Sequence, residues 1–162
     1  MDGDELDPYS FGPEQACFGC GPHNDHGLRL RFRRQGEEVT TIYRPRHGQE
    51  GPPGLLHGGL QMTLADELGA WTIVGLRGRL GLTTSMQVRL YRPVRLDLEL
   101  EGRGRIHTES EGLVVVRVSF TQLGKTTLSG RVSYQVPTVE GAERTLGRAL
   151  PDGWHRFCRP AS

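Results

Sequence analysis

Lysine is nearly missing from this 162-residue chain: of 20 basic residues only Lys125 is a lysine, the rest being arginine. Cysteine is scarce too. Cys17, Cys20 and Cys158 do not make a disulfide framework in a chain this long. No run of about 18 apolar residues occurs, so no membrane-spanning helix is expected. The opening MDGDELDPYS is acidic and polar, without the basic and apolar regions of a signal peptide, and a cytoplasmic location is expected. A surplus of either charge is also missing. The net charge of +1 argues against a nucleic-acid binder. Arginine suits bidentate phosphate binding, but compositional bias explains its preference over lysine as well, and arginines scattered along strands usually solvate a face.

What is present fits one domain with a real core. Residues 1–16, rich in Asp, Glu, Pro and Gly, read as a loose, flexible arm; residues 17–137 read as the domain. Residues 138–162 read as an irregular tail, with Trp154 and Phe157 as candidates to dock it. Leu28, Leu30 and Phe32 alternate with Arg29, Arg31 and Arg33, the period-two mark of a half-buried strand. Val39–Arg44 is its expected partner across a turn at Gly36, and Pro45 to Gly54 should be a long loop. A segment running from Leu60 to Leu76 is apolar nearly all round, as buried helices are. Strands are expected over Thr83–Tyr91, from Leu96 to about Ile106, and over Leu113–Leu123 and Thr126–Val136, the last pair joined by a tight turn at Gly124-Lys125. Pro93 should end the first of them. Two strands, a long helix and a run of antiparallel strands make an α+β domain with the helix packed on one sheet face.

The chemistry is concentrated in GPPGLLHGGLQMTLADE, residues Gly51 to Glu67. A flexible loop delivers His57-Gly58-Gly59 to the helix start. Such a start aims unpaired backbone N–H groups outward, ready for an oxyanion or carbonyl. Within Leu60–Leu76 the only charges are Asp66 and Glu67, and buried carboxylates are costly unless paired or used. At about 100° per residue, Glu67 shares a stripe with Leu60, Leu64, Leu68, Trp71 and Val74, which is expected to face the sheet. Asp66 falls on the other side with Met62, Gly69 and Ile73. Both faces need cover, and a partner subunit is one candidate for the second. Loop, donors and a poised carboxylate together suggest acyl-transfer chemistry.

These residues resemble the hotdog-fold acyl-CoA thioesterases of the phenylacetic-acid-degradation type, which carry His-Gly-Gly at the start of the central helix and an acid nine positions on. Here that acid is Asp66. An Arg-Pro pair ends a strand in the family, matched by Arg92-Pro93, and the likeness covers roughly Leu28 to Val136. CFGCGPHNDHGL (Cys17–Leu28) further resembles the subgroup containing thioesterase superfamily member four, whose pre-helix loop also reads like EGPPG. The resemblance implies a long central helix wrapped by an antiparallel sheet. It also implies a homodimer, often paired again into a tetramer, with active sites at the subunit interface. The implied reaction is hydrolysis of an acyl-CoA to a carboxylic acid and coenzyme A, with no cofactor beyond the coenzyme A of the substrate and no metal; from the charge balance and the lack of a long apolar run, neither nucleic acid nor membrane is expected as a partner.

Carried over residue by residue, Asp66 becomes the general base or nucleophile, with Glu67 as its rival. The Gly58 N–H becomes the group that polarises the carbonyl; the other reading of Gly58 is a simple turn glycine. His57 shapes the loop rather than exchanging protons, and Thr83 sits where some members carry a Ser or Thr that helps hold the water. Gly59 and either Gln49 or Glu50 are candidates for substrate contact. Many relatives have Asn or Gln six residues before the histidine, where this chain has Gly51, so Gln49 or Glu50 is the expected substitute. Arg89, Arg92, Arg103 and Arg105 are candidates for the coenzyme A phosphates, each with solvated surface arginine as its ordinary reading.

Cys17, Cys20, His23 and His26 spell C-x2-C-x2-H-x2-H, four residue types that suit zinc at a spacing tighter than usual two-part sites. The other reading is a pair of buried or turn-forming cysteines, with Asn24 and Gly27-Leu28 turning into the first strand. Rival functions are a catalytically silent acyl-CoA-binding module, encouraged by Gly51, and an acyl thioester hydratase or dehydratase, against which the His57–Asp66 spacing speaks. A zinc-dependent interaction domain is a distant third.

Overall fold

The computed structural model describes residues 3–161. Its elements are β1 (Asp4–Glu5), β2 (Arg33–Gln35), β3 (Glu38–Tyr43), α1 (Gly58–Arg77), β4 (Leu82–Leu90), β5 (Leu100–Ser110), β6 (Leu113–Gln122), β7 (Lys125–Gln135), α2 (Val139–Leu146) and α3 (Asp152–His155). Among the described residues the strands form one antiparallel sheet in the order β1-β2-β3-β5-β6-β7-β4. The sheet wraps α1, giving the expected α+β hotdog architecture.

The helix starts where His57 Nδ1 accepts from Gly59 N, satisfying one orphan donor of the first turn. It stops at Gly78, whose left-handed φ of 61° suits glycine. Leu64, Ala65, Leu68, Trp71 and Ile73 are buried, meeting Val114, Val116, Val118 and Phe120 of β6 and Leu128, Val132 and Tyr134 of β7 in one core. Full burial of each such side chain contributes on the order of 1.5–3 kcal/mol, so α1 is held by its packing on the sheet rather than by its caps.

Several expected boundaries move. The alternating stretch from Leu28 buries Leu28, Leu30 and Phe32 as expected, but strand pairing begins only at Arg33. Arg29 adopts a φ of 51°, and Leu28 N and Leu30 N bond to Phe18 O and Gly19 O of the preceding loop instead of to β3. Likewise β5 begins at Leu100, not Leu96. Asp97 turns at φ 61°, and the backbone N–H groups of Leu96 and Asp97 bond to Gly54 O and Pro45 O. The β6–β7 turn centres on Leu123-Gly124, both at positive φ, one residue earlier than expected.

The two ends are more built than the composition suggested. In the stretch expected to be a loose arm, β1 pairs with β2, and the Phe11 ring lies 4.7 Å from those of Trp154 and Phe157 and 6.0 Å from Trp71. The stretch expected to be an irregular tail contains α2 and α3. Thr138 caps α2 by accepting from Gly141 N, and Gly147 closes it at φ 65°. Trp154 and Phe157 do dock this segment, against Phe11. Residues 1, 2 and 162 of these two stretches lie outside the described residues.

Candidate active site

The pre-helix loop is tied to the helix start by its main chain. His57 N donates to Gln49 O at 2.9 Å, and Gly51 N donates to Leu55 O at 3.0 Å. Gln49 turns its side-chain oxygen to Tyr43 Oη at 2.7 Å and Arg46 N at 3.1 Å. Glu50 is engaged within the loop, with His47 Nδ1 at 2.8 Å and Gly48 N at 2.7 Å. Gly51 lies against His57: a Cβ there would sit 3.4 Å from the His57 Cα and ring Cδ2. A longer side chain at position 51 would therefore rest on the histidine. Gln61, which sequence reasoning passed over, is buried in the first turn of α1 and donates to Leu56 O at 3.1 Å, holding the loop from below. Its Oε1 has no partner among the described residues.

Gly59 N is spent on His57 Nδ1, and Leu60 N and Gln61 N on His57 O. Gly58 N, at the first position of the helix, finds no acceptor among the described residues. It is an outward-pointing donor at the positive end of a long helix.

Two turns further on, α1 presents Asp66 to β4 and β7. Thr83 Oγ1 donates to Asp66 Oδ1 at 2.6 Å. Tyr134 Oη donates to the Asp66 main-chain oxygen at 2.7 Å and lies 3.4 Å from Oδ1. Oδ2 has no hydrogen-bond partner among the described residues. Tyr134 is fully buried, and burial, with Asp66 beside it, pushes its hydroxyl pKa well above the ordinary tyrosine value. It is a fixed neutral donor. Nothing in its local sequence marks it beyond a place in a strand. Thr83 is on this face because β4 bulges between Thr83 and Ser85: Thr83 pairs with Tyr134 and Ser85 with Ser133. Strict alternation with Met86 and Val88 would send Thr83 to the outer face.

Glu67 does not face the sheet. It points into the N-terminal loop, where Cys17 Sγ lies 3.0 Å from Glu67 Oε1. Burial pushes the Glu67 carboxyl up to about 8, and Cys17 adds to the effect. The Cys17 thiol is held below its ordinary value, first by its contact with the Cys20 thiol. A carboxyl that keeps its proton at neutral pH is a poor base, which favours Asp66 over Glu67. Cys20 joins this cluster, whereas His23 and His26 are exposed on the same loop, and the His23 ring rests 5.7 Å from that of Tyr9.

The arginines are spread. Arg89 lies over the Tyr91 ring at 5.4 Å, and Arg92 donates to Thr126 O at 2.8 Å. Arg103 and Arg105 alternate with Gly102 and Gly104, which are buried, Gly104 directly against Leu68 and Thr72 of α1. They therefore sit on the sheet face away from the helix, both paired with Glu38. A cleft of about 610 Å³ between Pro13–Ala16 and His23–His26 includes neither Gly58 nor Asp66. In one chain the two groups are separated by eight residues of α1, about 12 Å along its axis.

Comparison with known proteins follows the same segment. Residues 53–127 match the family model described as thioesterase superfamily. No curated protein matches the chain. Among solved structures, a thioesterase superfamily protein aligns at a TM-score of 0.69 and 19% identity, over 83% of this chain and 68% of its own. A hypothetical thioesterase from Streptococcus pneumoniae TIGR4, solved with coenzyme A, aligns at a TM-score of 0.61 and 18% identity, over 65% of this chain and 86% of its own. That protein has also been solved with one aspartate, and with one threonine, replaced by alanine. A phenylacetic acid degradation-related protein from Ralstonia eutropha JMP134 aligns at a TM-score of 0.62 and 19% identity, over 67% of this chain and 86% of its own. Through residues 53–127 the chain is similar to the thioesterase superfamily, and its helix-in-sheet architecture is that of the hotdog fold.

Proposed function

We propose that this protein is an acyl-CoA thioesterase whose active site forms between two copies of the chain. The reading rests above all on Asp66. Its Oδ1 is held by Thr83 while its Oδ2 stays open, the arrangement of a carboxylate oriented to act on something beyond its own chain. The unpartnered Gly58 N–H is about 12 Å away on the same helix, too far to serve one carbonyl together with Asp66. A second copy, with its helix alongside, supplies the missing half. The nine-residue β4 is the end strand of the sheet, and long open edges are normally covered. Leu90 and Tyr91 beside it are 43% and 49% exposed, which supports a homodimer across this edge; pairing of dimers into a tetramer is compatible with it.

In the reaction, the thioester oxygen of the acyl-CoA sits at the Gly58 N–H of one copy. Asp66 of the other takes a proton from water, and the water oxygen attacks the carbonyl carbon. The tetrahedral oxyanion is stabilised by the Gly58 N–H and the helix dipole. Collapse breaks the carbon–sulfur bond, and the proton held by Asp66 passes to the departing thiolate. The alternative path is direct attack by Asp66 Oδ2 to form an anhydride, which water then cleaves. Thr83 fixes the carboxylate rotamer in either path, and His57 and Gln61 hold the loop that aims Gly58. Gly59, Gln49 and the arginines Arg89 and Arg92 are the contacts proposed for the substrate. Arg103 and Arg105, engaged with Glu38, are the weaker candidates. The Cys17–Leu28 motif supports placement near the member-four subgroup, and the working location is the cytoplasm.

The test is free-thiol release from a panel of aryl-, short- and medium-chain acyl-CoAs by wild type and Asp66→Asn. Turnover by wild type that falls about 100-fold or more in a folded variant supports the proposal. A second reading, a non-catalytic acyl-CoA-binding module, draws on Gly51, which carries no polar side chain toward the loop. Binding of acyl-CoA with every thioester left intact would favour it.

A further inference from the structure

A second cluster of chemistry lies one residue from Asp66, on the side of α1 that the proposed reaction leaves unused. Cys17 Sγ, Cys20 Sγ and a Glu67 carboxylate oxygen all lie within 4.8 Å of one another. They come from two distant segments, and the chain is shaped to bring them together. Cys17-Phe18-Gly19-Cys20-Gly21 folds as a tight turn, with Gly21 N donating to Cys17 O at 2.9 Å. Phe18 O and Gly19 O are held from the other side by Leu28 N at 2.8 Å and Leu30 N at 2.9 Å. At Gly19 the turn touches the carboxylate so closely that any Cβ would overlap the Glu67 side chain. The ligand set is therefore positioned by main-chain bonds rather than by flexible side chains.

The chemistry of that set is specific. Glu67 is mostly buried, yet among the described residues no lysine, arginine or histidine forms an ion pair with it. Its hydrogen-bond partner is the Cys17 thiol, at 3.0 Å, rather than a cation. Two cysteines at C-x2-C spacing with a carboxylate oxygen are ligands of the kind zinc takes. Two thiolates bonded to one tetrahedral zinc at about 2.3 Å sit roughly 3.8 Å apart, within the spread of these atoms.

We propose that Cys17, Cys20 and Glu67 form a binding site for zinc or a similarly thiophilic divalent cation, with the fourth position left to water. His23 and His26, which complete a four-ligand motif on paper, are not part of it. The site joins the N-terminal loop to α1 next to Asp66. It acts as a clamp on the helix and does not depend on the thioesterase reading.

The experiment uses the full chain, purified without chelator, for metal analysis. After stripping, zinc is titrated in competition with a chromophoric chelator, and cobalt(II) serves as a spectroscopic stand-in. The expected result is one zinc per chain, together with a sulfur-to-cobalt charge-transfer band and intense visible bands of tetrahedral cobalt. Cys17→Ser and Cys20→Ser should each weaken zinc binding by about 100-fold or more, and Glu67→Gln by at least about tenfold. A His23→Ala/His26→Ala variant should bind as wild type does. Should the serine variants fail to fold, the wild-type cobalt spectrum and Glu67→Gln decide alone, because Glu67→Gln leaves both sulfurs and the turn in place. Sub-stoichiometric metal without sulfur-to-cobalt bands overturns the proposal. So does zinc lost only with the histidines, or a mass short of two thiol hydrogens that reports a Cys17–Cys20 disulfide.

Discussion

Thr83 donates a 2.6 Å hydrogen bond to Asp66 Oδ1, joining the first residues of β4 to the middle of α1 and choosing which oxygen of the carboxylate stays open. A bond to a charged acceptor contributes about 1.5–3 kcal/mol, enough to hold one rotamer. Thr83→Ala should fold normally and lower kcat by about tenfold, whereas Asp66→Asn should lower it by about 100-fold to 10,000-fold. Thr83→Ser, which keeps the hydroxyl, should recover most of the loss. Steady-state thiol release on the three variants checks this ordering. Equal losses for Ala and Ser would mean that packing, not the hydrogen bond, is at issue.

The proposed division of labour between copies can be read by complementation. Gly58→Pro removes the one N–H in question at the first helical position, where proline is tolerated. His57, at φ −57° and ψ 135°, already has the extended backbone that a following proline requires. Gly58→Pro alone should lose about 100-fold to 1,000-fold in kcat. Mixed with Asp66→Asn and allowed to exchange subunits, it should regain roughly a quarter of wild-type activity. Half of the dimers are then mixed, and each of those has one intact site. No recovery on proven exchange would place both groups in one chain's site.

Gly69 is where Tyr134 reaches α1, and a Cβ on Gly69 would overlap the tyrosine oxygen. Gly69→Ala should therefore destabilise by about 1–3 kcal/mol through overpacking. Tyr134→Phe should cost about 0.5–1.5 kcal/mol through the lost hydrogen bond. The double variant should be more stable than the sum implies, because removing the hydroxyl makes room for the methyl group. Denaturant unfolding of the four proteins measures the coupling; strict additivity would refute the contact.

On the sheet face away from the helix, Arg105 first and Arg103 second hold the Glu38 carboxyl below its ordinary value of 4.5. A carboxyl lowered on folding adds stability above that ordinary value. The contribution is lost as the pH falls through the lower folded value. Stability should therefore drop on the acid side of about pH 4.5, and Glu38→Gln should lower Tm at neutral pH while flattening the acid limb. Thermal melts from neutral to acid pH report it, and an unchanged acid limb in Glu38→Gln would show that other carboxyls govern it.

The fold was largely legible because its signals are local. Apolar residues on every side of Leu60–Leu76 made a buried helix, and period-two alternation made β6 and β7 readable to within a residue or two. The misread boundaries share a cause: Leu28 to Phe32 and Leu96 to Leu98 alternate as strands do. The N–H groups of Leu28, Leu30, Leu96 and Asp97 went to loop carbonyls instead of a ladder, and side-chain pattern does not report where a backbone donor goes. In the tail, Thr138 and Gly147 were available as cap signals for α2, but only Ala142 of that helix is fully buried, so the hydrophobic pattern was faint.

By itself the sequence determined the helix, its glycine-led start and the single face on which Asp66 stands, because helical spacing follows from residue count. Three things depended on tertiary structure. The bulge after Thr83 turned that residue from the outer face toward Asp66. Tyr134 came from 68 positions away to fix the backbone of the same residue. Glu67, grouped by angle with residues facing the sheet, met the Cys17 loop instead. Each depends on which distant segment fills the space beside the helix, and periodicity along one element carries no information about its neighbours.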